Sequence, residues 1–428
     1  MFLSQRTPPS LPVRLVVEPP GTTPPELPPD LTVLALSSGT SVDAVDVAIV
    51  EFRDQDGDEG RQGVRSRDRG VRSRDRGGLA LRAVHVAEVA WPPELRALIL
   101  SVLPPAPSDT ATWCRLDTQV GRFFATVATD ALARVHDAGW TGRIDLVVSH
   151  GQTLFHWVEG DRALGTLQVG NASWIARATG LPVLSDLRSA DIAAGGHGAP
   201  LVPTFDALWL AGHDRPQTTV NIGGISNITI VGPDGVVEGR DVGPGNCLID
   251  LAVTALSGGA LGYDAGGRIA SSGTVRRDLL DSLLADPAVA PGVRSTGREV
   301  FNSGFLESHR ARLAGPPVTG PDLVATLTEF TAGVVADAIR HSGADRLVVA
   351  GGGARNPVLL ARIAAHLPGV EVLTSDELGV PAGAKETYLF ALIGWLSAHR
   401  LPGTARGPEG RSSTGASHQV VLGSWTLP

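Results

Sequence analysis

The sequence predicts an α/β fold. Short apolar segments rich in β-branched residues alternate with segments of helical spacing. Glycine-rich turns close several of the strand-like segments, and it is at such strand ends that open α/β sheets bind ligands. Of the 428 residues, 43% are hydrophobic, which supplies a sizeable core and excludes wholesale disorder.

Residues 1–30 carry nine prolines and no apolar stretch followed by a cleavage site. They are expected to be a disordered or polyproline-like extension rather than a signal peptide. Strands follow at Leu31–Leu36 and Val45–Val50, and another strand-like piece at Leu79–Val89. Between them, at about 54–77, the seven residues Gly63–Arg69 recur at once as 70–76. A unit so short cannot bury a face, so the segment reads as an expanded hairpin loop, not a solenoid repeat. Leu116–Ala138 has helical spacing, and Ile144–Ser149 is a buried-strand run. Thr218–Val231 is β-rich with a turn at Gly223-Gly224. Asn246–Ser257 and Leu323–His341 read as helices. Arg346–Ala350 is a strand, Pro357–His366 a helix, Val370–Leu373 a strand and Lys385–His399 a helix.

Composition removes several function classes. Against 36 basic residues stand 44 acidic ones, a formal charge of −8, so a nucleic-acid coat is disfavoured. Cys114 and Cys247 are too far apart in sequence for a Cys-x-x-Cys metal site or a disulfide scaffold, which fits a reducing, cytoplasmic setting. No apolar run reaches the roughly 18 residues that span a bilayer. Lys385 is the single lysine and it follows Ala384, so there is no P-loop. Gly-x-Gly-x-x-Gly, Gly-x-Ser-x-Gly and His-Glu-x-x-His are absent as well.

What remains is another style of phosphate binding. Ser37-Ser38-Gly39-Thr40-Ser41-Val42-Asp43-Ala44-Val45-Asp46 lies between two strands. Gly39, Thr40 and Ser41 let backbone N–H groups and hydroxyls approach phosphate oxygens. Asp43 is placed to hold Mg2+, directly or through water, and Asp46 follows it. The same segment also reads as an ordinary hairpin turn. Three further turns join it: Asn221–Asn227 with Gly223 and Gly224, Asp241–Asn246, and Gly351-Gly352-Gly353 after an apolar strand. One strand–turn–strand loop early, one in mid-chain and a late triple glycine resemble the layout of actin-like ATPases and sugar kinases. That layout implies two lobes with ATP in the cleft between them. The lobes are expected at 31–215 rejoined by 386–428, and at 216–385.

Taken together, the motifs are similar to those of the anhydro-N-acetylmuramic acid kinases of bacterial cell-wall recycling. They are Ser38–Asp43, Ser149–Thr153, Gln168–Asn171, Ser185–Arg188 with Asp191, Gly195–Pro203, Asn221–Asn227, Gly243–Asn246, Ser295–Glu299, Ala325–Thr328, Gly351–Asn356, Lys385-Glu386 and Thr414–Ser417. The resemblance spans about residues 32–428. Three positions depart from the pattern: Ser37 for methionine, Ala44 for glycine and His197 for glutamine.

The resemblance implies that ATP, 1,6-anhydro-N-acetylmuramic acid and water yield N-acetylmuramic acid 6-phosphate and ADP. That chemistry needs a base for the water, a magnesium ion on the phosphates and in-line placement of the accepting oxygen. Asp186, following the apolar run Leu181–Leu184, is the first choice for the base. Asp191 is the second; either carboxylate also reads as a turn cap or a partner of Arg188. His150 and Gln152, expected in a loop after Ser149, either contact the sugar or are satisfied by backbone. Glu386, at a helix start, either faces the cleft or caps the helix. Arg298 and Glu299 read as a structural ion pair. The expected partner is the small sugar, with no nucleic acid or membrane, and a homodimer is among the compatible assemblies. The competing functions are a sugar kinase without ring opening and, in a different class, a nucleotide-gated chaperone or filament protein.

Overall fold

The computed structural model describes residues 30–39, 42–54, 79–104, 106–160, 162–290 and 300–428. The proline-rich segment, the arginine-rich loop, Thr40, Ser41, and Ser295–Glu299 with Arg298 lie outside them.

The first half of the chain runs β1 (Leu31–Ser38), β2 (Ala44–Asp54), β3 (Leu79–Ala90), α1 (Pro93–Ser101), α2 (Thr110–Asp137), β4 (Leu146–Glu159), β5 (Arg162–Val169), α3 (Ala172–Thr179), β6 (Val183–Ser185), α4 (Ser189–Ala193) and α5 (Val202–Trp209). It continues with β7 (Gln217–Ile222), β8 (Ile225–Val231), β9 (Val237–Pro244), α6 (Cys247–Leu256), α7 (Arg268–Ser272), α8 (Arg277–Leu284), α9 (Ser303–Arg310), α10 (Gly320–Arg340), β10 (Arg346–Ala350), α11 (Pro357–His366), β11 (Glu371–Thr374), α12 (Lys385–Ala398) and β12 (Ser424–Thr426).

Among the described residues the strands form two sheets. One has the order β12-β6-β4-β1-β2-β3, with β5 paired to the far half of β4; the other has the order β11-β10-β7-β8-β9. All eight residues of β1 are buried because the sheet is covered on both faces. The period of two divides its side chains: Leu34 and Leu36 pack with α2, while Val33 and Ala35 pack with α12. Helix α12 is buried almost throughout. A Cβ on Gly394 would lie 2.4 Å from Val148 Cγ2, so glycine is what lets this helix approach the sheet. In the second sheet, Val220, Ile222, Leu347 and Val349 pack against α10 and α11.

The parallel strands place the site. β1 is parallel to β4, and β4 to β6, so Ser38, Gln152 and Ser185 lie toward one edge of the first sheet. β7 is parallel to β10, which aligns Gly223-Gly224 with Gly351–Gly353 at the corresponding edge of the second. β4 extends well past the predicted Ser149, so His150 and Gln152 belong to a strand and not to a loop. Gln152 is paired on both sides, with Ser38 of β1 and with Val169 of β5. No helix among the described residues is long and apolar enough to cross a membrane.

Candidate active site

Asp186 is the first residue after β6 and has a φ of 50°. A left-handed backbone is unfavourable for a residue with a Cβ and persists only where its surroundings fix it. Its Oδ1 accepts the Ser189 N–H at 3.2 Å, capping α4; its Oδ2 has no protein donor among the described residues. Asp186 lines a cavity of about 510 Å3 together with Ser149, His150, Gln168, Asn171 and Thr426. The side-chain Oγ of Ser149 is buried there without a hydrogen-bond partner, a group that a polar ligand would satisfy.

His150 is buried and its ring stacks on Phe390, with centroids 4.5 Å apart. Arg188 donates its Nε–H to His150 Nε2 at 2.9 Å and an Nη1–H to the Gly198 carbonyl at 2.6 Å. Because the guanidinium is only a donor, the imidazole is neutral, with its proton on Nδ1 and directed to the Gly151 carbonyl at 3.2 Å. Burial, reinforced by the Arg188 charge, pushes the His150 pKa down to about 3. Arg188 is half-buried, and the desolvation lowers its pKa, while the Glu386 charge opposes that shift. Glu386, in the first turn of α12, is accessible to solvent yet enclosed by protein, and this desolvation raises its pKa against the pull of Arg188.

Asp191 has no exposed surface. Its Oδ1 accepts the Thr414 hydroxyl at 2.6 Å and its Oδ2 the Gly198 N–H at 2.7 Å. Gln152 is also fully buried, and its amide donates to the carbonyls of Gly39 and Thr153.

The first glycine turn is braced from several sides. Ser38 donates to the Ala44 carbonyl at 2.9 Å, Trp91 to Ser38 Oγ at 3.3 Å, and Arg96 to the Val42 carbonyl at 2.8 Å. The Asp43 side chain is 71% exposed, 3.8 Å from the Arg96 guanidinium. Asp46 faces Glu88 across the β2–β3 ladder. Burial, then Glu88 and Glu386, raise its pKa to about 6.

In the second sheet three turns interlock. The N–H groups of Gly245 and Asn246 donate to the carbonyls of Gly224 and Gly223 at 2.9 and 2.8 Å. A Cβ on Gly351 would lie 2.5 Å from Asn221 Oδ1, and one on Gly353 2.4 Å from Ile222 Cγ2. These two glycines are therefore needed to seat loop on loop. Gly352 differs: a Cβ there would meet only Asn246 Nδ2, at 3.8 Å, and Gly223 is comparably open.

A family profile described as anhydro-N-acetylmuramic acid kinase matches residues 73–428. The chain belongs to the anhydro-N-acetylmuramic acid kinase family. The kinase of that name from Streptomyces avermitilis is 45% identical over 398 residues, covering 92% of this chain and 94% of its own. The one from Rhodococcus erythropolis is 41% identical over 405 residues, with coverage of 92% and 94%. Among solved structures, the activator of the 2-hydroxyisocaproyl-CoA dehydratase from Clostridium difficile overlaps 86% of this chain and 94% of its own at a TM-score of 0.37 and 12% identity, a likeness too loose to carry an argument.

In this member of the anhydro-N-acetylmuramic acid kinase family, then, Asp186 and His150 share one cavity, and Arg188 bonds to His150 while feeling the charge of Glu386. Asp191 and Gln152 do not line that cavity. Sequence reasoning left Arg188, Ser149, Gln168 and Asn171 without a role, although all four stand in its motifs. The available signal was polar residues interrupting the apolar β4 run, and Asn171 capping α3 through the Ser173 N–H at 3.0 Å. The single lysine, Lys385, is buried in an ion pair with Asp206 at 2.6 Å, and Asp206 also accepts from Thr219 at 2.8 Å.

Proposed function

We propose that Asp186 is the general base of this kinase, and that the cavity between β4, β5, β6 and α3 holds the sugar. By its family the chain is an ATP-dependent kinase acting on 1,6-anhydro-N-acetylmuramic acid in peptidoglycan recycling. In the reaction a water loses a proton to Asp186 as its oxygen bonds to the anomeric carbon. The bond from that carbon to the bridging oxygen breaks, and the freed 6-oxygen takes the γ-phosphoryl group, with ADP leaving. The observation that carries this reading is a carboxylate at a strand end, with one oxygen free of protein donors, on the wall of a polar cavity. His150 does not compete for the proton, since its lone pair is already engaged by Arg188.

The same arrangement supports a two-lobed reading. Lobe one would comprise 31–215 and 386–428, and lobe two 216–385, with ATP between the turn at Gly39 and the interlocked turns at Gly223-Gly224 and Gly351–Gly353. Support comes from α12, which returns late in the chain yet packs on the first sheet. Mg2+ fits the residues present. Among the described residues no cluster of three ligating side chains would hold a metal alone, as suits an ion bound chiefly by phosphates and water. Asp43 is exposed, and Asp46 is crowded by two carboxylates that a cation would relieve. These two aspartates would hold the ion, which when bound offsets the negative charge of the phosphates.

The test is turnover in 18O-water with ATP, magnesium and the anhydro-sugar, quenched before the reducing product exchanges oxygen. Label at the anomeric carbon is expected. Phosphorylation without label would mean a kinase that leaves the ring closed, and ATP turnover indifferent to the sugar would remove the kinase reading altogether.

A further inference from the structure

Thr414 lies 223 residues after Asp191 and donates its hydroxyl to it inside the protein. A carboxylate accepts and does not donate, so the proton of the Thr414 hydroxyl is committed to Asp191. The Ser412 hydroxyl, 2.5 Å from Thr414 Oγ1, must then supply its own proton to Thr414. The result is a directed chain from Ser412 through Thr414 to Asp191. The Thr414 N–H donates back to Ser412 Oγ at 3.1 Å, which holds the segment in one shape.

The neighbouring backbone is stitched to the same tail. The His197 N–H donates to the Thr414 carbonyl and the Ser417 N–H to the Ala194 carbonyl, both at 3.0 Å. Farther along, Ser424 pairs with Ser185 and Trp425 with Leu184, so the last strand lies against the strand that ends just before Asp186. Thr426 reaches the cavity wall itself.

We propose that the segment Ser412–Thr414 is a latch that positions Asp186, with Thr414 as its central positioning residue. This rests on the reading of Asp186 as the base. Asp186 has a left-handed backbone at the mouth of a short strand. Of the residues that follow it, Leu187 and Asp191 are buried, and Arg188 is tied to His150 and to the Gly198 carbonyl. Asp191 ties the far end of this short stretch to the tail, through the Gly198 N–H on one oxygen and the Thr414 hydroxyl on the other. With the Thr414 hydroxyl gone, Asp191 Oδ1 loses its buried donor, and a buried polar group without a partner reorganises its surroundings. The slack is then taken up where the backbone is least favourable, at Asp186. Ser412, Ser413 and Thr414 do not line the cavity, so the loss of the latch should appear in turnover and not in nucleotide affinity.

The experiment compares Thr414→Val, Thr414→Ser and Ser412→Ala with Asp186→Asn in the full-length protein. Thr414→Val keeps the shape and removes the hydroxyl; kcat should fall on the order of 10–100-fold, as misplacement of a reacting group by about 1 Å does, while KM for ATP stays within about twofold. Thr414→Ser, which keeps the hydroxyl, should restore most of kcat. Ser412→Ala should show the same split with a smaller loss. A folded Thr414→Val with wild-type kcat would overturn the latch, and so would failure of Thr414→Ser to rescue. If Thr414→Val does not fold, Ser412→Ala decides, and an unchanged kcat there overturns the proposal. Asp186→Asn separates the two claims. Full turnover in that variant removes the base reading, whereas a dead Asp186→Asn beside an unaffected Thr414→Val removes only the latch.

Discussion

The Arg188 guanidinium donates to His150 Nε2 at 2.9 Å, and this one bond determines what the histidine can do. It leaves the proton on Nδ1 and the ring without a free lone pair. Desolvation carries the pKa to about 3. The neutral form is the one the folded state favours, so its contribution to stability is fully present above about 6.5 and is lost as pH falls toward 3. NMR should find a neutral ring that does not titrate between pH 5 and 8. His150→Gln should flatten the decline of Tm below pH 6.5. An imidazole titrating near 6.5 would show that the Arg188 contact is not made in solution.

Asp186→Asn keeps the shape of the side chain and removes its basicity. The variant should still bind ATP and sugar but lose about 10²–10⁴-fold in kcat, the usual contribution of a general base. Asp191→Asn should be milder in turnover, because Asp191 is fully buried with both oxygens engaged. The reverse order would transfer the base role to Asp191, and small, equal effects would place water activation elsewhere.

The three consecutive glycines should separate into two behaviours. Gly352→Val has room for its Cβ, with the nearest atom 3.8 Å away, so it should fold and raise KM for ATP roughly tenfold, equivalent to about 1.4 kcal/mol. Gly353→Ala forces a Cβ to within 2.4 Å of Ile222 Cγ2 and should destabilise the protein by about 1–3 kcal/mol. Thermal unfolding and ATP titrations distinguish them. A folded Gly352→Val with unchanged KM would move the nucleotide away from this turn.

Asp46 should make stability pH-dependent in the opposite sense to His150. Its pKa is raised from the ordinary 3.8 to about 6, so the folded state favours the protonated acid. That contribution is fully present below about 3.8 and disappears as pH rises through 6. Asp46→Asn cannot ionise. Without nucleotide it should unfold at a higher temperature than wild type at pH 7.5, and the gap should close by pH 4. Its turnover should nonetheless fall if Asp46 helps to hold magnesium. Equal Tm values at pH 7.5 would mean that neither burial nor Glu88 and Glu386 disfavour this carboxylate in the free protein.

Much of the fold was legible because its causes are local. The helix predicted at Pro357–His366 has those bounds in the structure: Asn356 caps it through the Val358 and Leu359 N–H groups, and Pro357 occupies the first helical position. The turn at Gly223-Gly224 was readable from its glycines, and Asp186 at a strand end from the apolar run before it. What tertiary structure alone decided depends on partners far away in sequence. The polar run after Ser149 looks like a loop by composition, yet it continues the strand because Ser38 of β1 and Gln168 and Val169 of β5 supply partners for Gln152 and Thr153. Neither the neutral state of His150 nor the burial of Asp191 is visible in the residues beside them: one depends on Arg188, 38 positions away, and the other on Thr414, 223 positions away. Backbone propensity and capping act over a few residues and can be read in order along a chain. Desolvation and charge pairing belong to the packed interior, whose neighbours exist only once the two sheets have formed.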